Sequence, residues 1–246
     1  MNSEKNPGIN NEHPTIFHEI LHSGLPASEL TPLRLQGEAQ TVVAAGTLTT
    51  AHYLKVMMYN LLANPKVLGR LNKELQSAIP NAAVIPPYLE LDRLPYFSAV
   101  INEGFRLTHG VFQRLTRIAP NEDLHVAGYT IKAGTPISMS SWLNHLDPEI
   151  FPSPDEFRPE RWLEPGADRK KKYLANFSKG SRVCLGKDLA KAEIVYTLSM
   201  MVRRWVGVEG NGIELFETTQ RDVEVEHDFF SPFSSDESLG VRVLLK

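Results

Sequence analysis

The chain has 246 residues, of which 42% are hydrophobic and 22% charged, and its formal net charge is −3 at pH 7. This composition is typical of a globular protein and excludes collagen, low-complexity chains and small disulfide-linked domains. The slightly acidic balance gives no basic footprint, so we expect no nucleic-acid partner. A single cysteine, Cys184, excludes an internal disulfide and permits the reducing cytoplasmic side. No apolar run reaches membrane-spanning length, and the N-terminus lacks a signal-peptide core, so we expect no anchor in this chain.

The first half of the chain is dominated by one long helical segment. Thr31 can cap a helix and Pro32 can occupy its first position. Because no further proline occurs before Pro65, the pattern predicts a central helix over about 32–63. Its middle, residues 41–50, is small and apolar nearly all round, which predicts burial against several neighbours.

The second half of the chain mixes helices with short strands. A helix is predicted over about 95–107, and a further helix after Cys184. Four prolines exclude regular helix or central strand over 147–160. Short alternating patterns predict strands over 124–126, 129–131, 213–218, 223–227 and 241–245. The sequence therefore predicts a mainly α fold with small β-sheets, of the α+β class.

A short helix over about 15–21 carries a motif that suggests a zinc hydrolase. His18, Glu19 and His22 match the HExxH pattern, in which two histidines one turn apart bind zinc and the glutamate acts as base. The helix ends at Ser23-Gly24, and no third histidine follows at the expected spacing. An amphipathic helix with solvated histidines explains the segment better, and the zinc hydrolase is kept as a distant alternative.

The residues around Cys184, which we call the cysteine loop (177–186), predict a socket for haem iron. An apolar-periodic helical stretch begins one residue later, so the thiolate lies at a helix N-terminus that stabilises its charge. Gly180 and Gly186 let the backbone approach a flat macrocycle, and Arg182 offers a cationic fork for a propionate. Phe177 can shield the sulfur from water. A small buried thiol without chemistry is the alternative that these neighbours disfavour.

The cysteine loop resembles the haem-binding signature of the cytochrome P450 family. The resemblance runs from about Thr15 to the C-terminus, and its motifs follow the family's order. Several phrases look most like fungal P450s of secondary metabolism, similar to trichodiene oxygenases. The resemblance implies one partial domain over 1–246, the C-terminal haem-binding portion of the fold, without the family's N-terminal half. It also implies haem b with Cys184 as axial iron ligand.

Three further charged residues match the family's ion network. Glu103 and Arg106 stand three residues apart on the helix over 95–107, and Arg161 lies in the later proline-rich segment. The resemblance implies that these three side chains form a structural network that locks the loop preceding the cysteine. Taken alone, Glu103 and Arg106 would more often form an exposed surface pair.

The central helix and a later loop supply the remaining candidate residues. Gly46, Thr49 and Thr50 resemble the oxygen-binding stretch of the family, where a threonine aids proton delivery to bound dioxygen. Glycine and threonine also permit local bending of a helix. The family's usual acid before the threonine is replaced by Leu48, which puts the proton relay in doubt. A threonine-rich patch of buried helix is the alternative. Arg117 resembles a haem-propionate contact, with an exposed loop arginine as the alternative.

The resemblance implies a haem-thiolate monooxygenase that inserts one oxygen atom from O2 into an apolar substrate, such as a terpenoid or another secondary metabolite. Its partner would be an NADPH-dependent P450 reductase or a similar electron donor. Full-length relatives are usually anchored in the endoplasmic reticulum, and we expect this chain on the cytoplasmic side. A truncated, non-catalytic haem-binding or interaction remnant is the alternative. We also expect a partner or a dimer to cover the apolar flank of the central helix.

Overall fold

The computed structural model describes residues 14–206 and 212–246, which fall into two compact units. The first unit runs to Thr47 and the second begins at Leu48, so the boundary lies inside one helix. The described part of the first unit contains helix α1 (Ile16–Leu21), a 3₁₀ turn (Ala27–Leu30) and the start of α2 (Pro32–Ala63). The sequence predicted one partial domain for the whole chain.

The second unit consists mainly of helices whose starts are set by proline. Pro65 and Pro95 occupy the first positions of α3 and α5, where a missing N–H costs nothing. The Glu74 carboxylate accepts the N–H groups of Tyr96 and Phe97 at 2.9 and 2.7 Å and so caps α5. The helices after α2 are α3 (Pro65–Ala78), α4 (Tyr88–Asp92), α5 (Pro95–Thr108), α6 (Ser141–His145), α7 (Ala167–Lys171) and α8 (Lys187–Trp205).

The core of the second unit lies where α3, α4, α5 and α8 meet the C-terminal part of α2. Apolar side chains from each of these helices are fully or almost fully buried, and they hold α5 in place from three sides. They include Met57, Leu61, Leu71, Leu75, Leu91, Phe97, Val100, Ile194 and Leu198.

Four two-stranded antiparallel pairs complete the described fold. Ala127 and Gly128 both have positive φ, 51° and 84°, as a two-residue hairpin turn requires. The pairs are β1 (Arg117–Ile118) with β4 (Pro136–Ile137), β2 (Leu124–Val126) with β3 (Tyr129–Ile131), β5 (Ile213–Leu215) with β8 (Val243–Leu245), and β6 (His227–Phe229) with β7 (Ser231–Phe233). The predicted α+β class is confirmed.

One predicted strand is wrong. The segment 223–227 follows a 3₁₀ turn (Gln220–Asp222), and pairing begins only at His227. Thr219 and Asp222 form a reciprocal capping box around this turn. These local side-chain hydrogen bonds, and not the alternating sequence pattern, therefore determine the backbone conformation of this segment.

The middle of the central helix is exposed, against the prediction of burial over 41–50. Val43 and Leu48 are 66% and 52% exposed, and the first buried residue of α2 is Thr50. The apolar face that the sequence placed against several neighbours thus lies open to solvent. Within residues 14–206 and 212–246, every helix is too short or too polar to cross a membrane.

Helix α5 contacts α2 through a glycine. Tyr53 Oη donates to the Ile101 carbonyl at 2.8 Å, and its ring is almost fully buried. A Cβ at Gly104 would lie 2.5 Å from Met57 Sδ and closer still to Tyr53 Oη. The close approach of the two helices therefore requires glycine at this position.

We expect Gly104→Ala to lower the free energy of unfolding by about 1–3 kcal/mol, because the added methyl overpacks the contact with Tyr53. The matched control is Gly69→Ala in α3, whose Cβ would meet no atom within 4 Å. That variant should gain up to about 1 kcal/mol from helix propensity. Denaturant unfolding measures both, and equal effects of the two substitutions would contradict the packing argument.

Candidate functional site

The Glu103 carboxylate is the centre of a buried charge network. Its Oε1 accepts from Arg106 Nη2 at 2.8 Å, from Arg161 Nε at 3.0 Å and from the Arg158 backbone N–H at 3.0 Å. Its Oε2 accepts from Arg106 Nε at 3.0 Å and from Trp162 Nε1 at 2.8 Å. Glu103, Arg106 and Arg161 have no exposed surface. The alternative of an exposed surface pair therefore does not apply.

The remaining guanidinium protons bind the carbonyls of the proline-rich segment. Arg106 donates to the carbonyls of His145 (3.1 Å), Pro154 (2.5 Å) and Glu156 (3.0 Å). Arg161 donates to the carbonyls of Pro152 (2.7 Å) and Ser153 (3.0 Å). Two cations therefore share one carboxylate, and carbonyl dipoles satisfy their other donors.

This arrangement gives the network a structural role. Burying two guanidinium groups is costly unless every donor is paired, and removal of one partner from such a network costs about 3–5 kcal/mol. The network orders residues 145–161, where prolines prevent regular backbone pairing. It contacts the cysteine loop only indirectly, through the residues described next.

Three side chains hold the approach to the cysteine loop, residues 173–176. The Ala175 backbone N–H donates to His145 Nε2 at 2.9 Å. Asn144 Nδ2 donates to the Tyr173 carbonyl, and Asn176 Nδ2 donates to the Phe105 carbonyl. None of these residues is recognisable from the sequence, because each bond joins positions about 30 or more apart in the chain.

The cysteine loop is closed by backbone hydrogen bonds. The Cys184 N–H donates to the Phe177 carbonyl at 2.8 Å, and the Ser178 N–H donates to the Ala175 carbonyl at 2.9 Å. The Phe177 ring packs against Phe105 with centroids 5.1 Å apart. Helix α8 begins at Lys187, two residues later than the sequence suggested. Cys184 therefore lies in the turn that leads into the helix.

The surface around Cys184 fits a flat, largely apolar group with carboxylate substituents. The thiol is exposed, and the nearby apolar side chains of Val183, Leu185 and Leu189 are 47%, 94% and 64% exposed. A Cβ at Gly180 or Gly186 would meet no atom within 4 Å, so this backbone can lie close to a ligand.

Two of the predicted propionate contacts are free to bind an anion. Arg182 and Arg117 are exposed. Within the described ranges neither forms an ion pair, and Arg117 donates only to the carbonyl of its neighbour Thr116. A soft thiol can ligate haem iron, and exposed guanidinium groups can bind carboxylates.

The predicted oxygen-binding residues lie on the central helix. Gly46 belongs to the first unit and is exposed, whereas Thr49 and Thr50 belong to the second. Thr50 is buried, and its Oγ1 has no hydrogen-bond partner among the described residues. The backbone is α-helical without interruption from 32 to 63. Glycine permits a local distortion at position 46, but the helix is not broken there.

Three histidines, His52, His109 and His145, are held uncharged. Burial and the charge of Lys55 lower the pKa of His52 to about 4, and burial and Arg106 lower the pKa of His145 to about 4. Burial and the neighbouring His145 hold the pKa of His109 well below its ordinary value. The His109 and His145 rings stack 5.7 Å apart. All three are therefore neutral at pH 7.

The HExxH residues do not form a metal site in this structure. His18 and His22 are exposed, with ring centroids 4.2 Å apart, and His22 follows the last residue of α1. Its Nδ1 lies 2.7 Å from the His18 carbonyl, an interaction that uses one ring nitrogen. Across residues 14–206 and 212–246, no group of three or more histidine, cysteine or acidic side chains is arranged to hold a metal ion.

Comparison with known proteins agrees with this geometry. The family model for cytochrome P450 matches residues 6–219. The chain is 44% identical to a cytochrome P450 monooxygenase of Ascocoryne sarcoides over 235 residues, which cover 94% of this chain and 45% of the relative. It is 40% identical to the cytochrome P450 monooxygenase oblB of Aspergillus clavatus over 98% of this chain and 46% of the relative.

A third relative carries a more specific name. The N-acetyltryptophan 6-hydroxylase ivoC of Emericella nidulans is 42% identical over 239 residues, which cover 94% of this chain and 45% of the relative. The chain spans less than half the length of each of these curated relatives. It belongs to the cytochrome P450 family, as the cysteine loop indicated.

The neutral histidines predict a loss of stability in acid. The unfolded chain protonates each histidine near pH 6.5, whereas in the folded chain His52 and His145 stay neutral down to about pH 4. The unfolded state therefore binds more protons between these values. The free energy of unfolding should fall as the pH falls from about 6.5 to about 4, by up to about 1.4 kcal/mol per pH unit for each histidine.

Denaturant unfolding at a series of pH values measures this slope. His52→Phe should remove one histidine's share of the slope. A stability that is flat from pH 6.5 to pH 4.5 would contradict the neutral, buried state.

Proposed function

We propose that this chain is the haem-binding part of a haem-thiolate monooxygenase that inserts one oxygen atom from O2 into an apolar small molecule. The observation that carries the proposal is the cysteine loop, in which the exposed Cys184 thiol is flanked in sequence by exposed apolar side chains and the exposed Arg182. Membership of the P450 family supports it, since thiolate-bound haem is the family's cofactor.

In this proposal Cys184 is the axial ligand of a b-type haem, and the chain's other residues hold and shield it. Arg182 and Arg117 would bind the two propionates, because guanidinium groups match carboxylate geometry. Gly180 and Gly186 leave room for the macrocycle. Phe177 contributes its carbonyl to the Cys184 amide, which fixes the sulfur-bearing backbone. When bound, the haem would supply the activation of dioxygen.

The central helix would supply the proton-handling groups. Thr49 and Thr50 would hold protons on their Oγ1 atoms. Thr50 is suited to this role because its hydroxyl is buried and has no partner among the described residues. Leu48 cannot exchange a proton, so the threonines would have to act without the acid that usually precedes them.

We infer an apolar substrate from residues 108–113 and the β6–β7 hairpin, which resemble segments that line substrate cavities in the P450 family. The Phe112 N–H donates to the Phe230 carbonyl at 3.0 Å, so residues 108–113 and the β6–β7 hairpin lie side by side. Phe112 also packs near Trp142, with centroids 6.1 Å apart. Relatives named for hydroxylation of tryptophan or N-acetyltryptophan extend the proposed class from terpenoids to aromatic secondary metabolites.

The proposed partners are an electron donor and a polypeptide that covers the central helix. An NADPH-dependent P450 reductase on the cytoplasmic side would supply the electrons, as for the family in general. The exposed Val43 and Leu48 would be covered by a partner or by a second copy of the chain.

A second candidate function is a non-catalytic haem-binding remnant of the family. It is favoured by the exposed apolar side chains of the central helix. The two candidates share the haem site and differ in turnover. The zinc hydrolase alternative through His18, Glu19 and His22 has no support among the described residues.

The reduced, CO-bound absorption spectrum of the haem-loaded chain tests the ligand. We expect the strongly red-shifted Soret band of a thiolate-ligated haem, complete loss of that band in Cys184→Ala, and its retention in the adjacent control Ser181→Ala. A wild-type spectrum without the shift would contradict the proposal.

Turnover then separates the two candidates. With a P450 reductase, NADPH and a panel of terpenoid and indole substrates, the monooxygenase forms a product that carries one atom from labelled O2. The remnant binds haem and forms none.

A further inference from the structure

His145 connects the buried charge network to the cysteine loop. It is the last residue of α6 and has no exposed surface. Its carbonyl accepts from Arg106 Nη1 at 3.1 Å, and its Nε2 accepts from the Ala175 N–H at 2.9 Å. The residue therefore contacts the network with its backbone and the approach to the cysteine loop with its ring.

The Ala175 amide, which donates to His145, lies just before the turn that carries Cys184. The Ala175 carbonyl accepts from the Ser178 N–H, and the Phe177 carbonyl accepts from the Cys184 N–H at 2.8 Å. Ser178 has a positive φ of 57°, an uncommon backbone conformation for a residue other than glycine. Such a conformation persists only when its surroundings fix it. The His145 bond is one of the contacts that fix this turn.

The hydrogen bond defines the state of the His145 ring. A backbone N–H can donate only to a nitrogen that carries no proton, so Nε2 is bare and the proton lies on Nδ1. Nδ1 has no partner among the described residues, and it lies in the stack with His109. Burial and the Arg106 charge, which lower the pKa of His145 to about 4, support a neutral ring.

We propose that His145 is a positioning residue of the haem site, whose neutral ring accepts the Ala175 amide and thereby holds the cysteine loop in the geometry for thiolate ligation. The role in ligation rests on the proposed function. The hydrogen bond itself does not, so the two can be tested separately.

Nuclear magnetic resonance of the ¹⁵N-labelled chain tests the bond without haem. We expect the His145 ring to carry its proton on Nδ1 and to show a ¹⁵N–¹⁵N coupling across the hydrogen bond to the Ala175 amide. A proton on Nε2, or the absence of this coupling, would overturn the proposal.

Three variants test the effect on the haem site. His145→Phe keeps a stacked ring and removes the acceptor, whereas His145→Gln places an amide oxygen near the position of Nε2. His109→Phe is the control, because His109 is a buried histidine stacked on His145 whose Nδ1 has no hydrogen-bond partner among the described residues. The measured quantity is the fraction of bound haem with the thiolate-type Soret band in the reduced, CO-bound state.

We expect this fraction to be lower in His145→Phe by roughly fivefold, the effect of one hydrogen bond, and to be restored in His145→Gln. His109→Phe should retain the wild-type fraction. A wild-type fraction in His145→Phe, or equal losses in all three variants, would overturn the positioning role. A wild type that binds no thiolate-ligated haem would instead refute the proposed function, and the magnetic resonance measurement would still decide the hydrogen bond.

Discussion

The rest of the second unit depends on one buried carboxylate shared by two guanidinium groups. Glu103 receives donors from α5, from the proline-rich segment and from Trp162. A lone buried carboxylate or guanidinium would be prohibitively expensive, so the three charges are stable only together. Their remaining donors bind carbonyls that prolines have left without regular partners. The network thus converts an irregular segment into a fixed support.

This support reaches the cysteine loop through neutral groups. His145 and Asn144 bind the backbone of residues 173–176, and the Asn176 side chain binds the Phe105 carbonyl. A thiolate that must bind a metal benefits from such surroundings, because its position is set by backbone hydrogen bonds while its sulfur remains accessible. A series of hydrogen bonds thus connects the buried network to the loop that carries the exposed thiol.

Much of this fold could be predicted from proline and motif positions. The bounds of α2 and α5 lie close to the predicted ones because Pro32, Pro65 and Pro95 mark helix starts, a purely local effect. His145 could not be predicted, because its role depends on a bond to Ala175 that only the tertiary fold creates. The burial predicted over 41–50 is wrong for a similar reason. An apolar pattern shows that a helix face favours packing against another surface, but it does not show whether the fold supplies that surface.

Amide hydrogen exchange in Glu103→Gln tests most directly whether the network positions the cysteine loop. The account predicts faster exchange at the amides of Ala175 and Cys184, which bond to His145 and to Phe177. The Lys246 amide, bonded to the Gly212 carbonyl in the distant β5–β8 pair, should exchange as in the wild type. Unchanged exchange at Ala175 and Cys184, or equal acceleration at Lys246, would contradict the account.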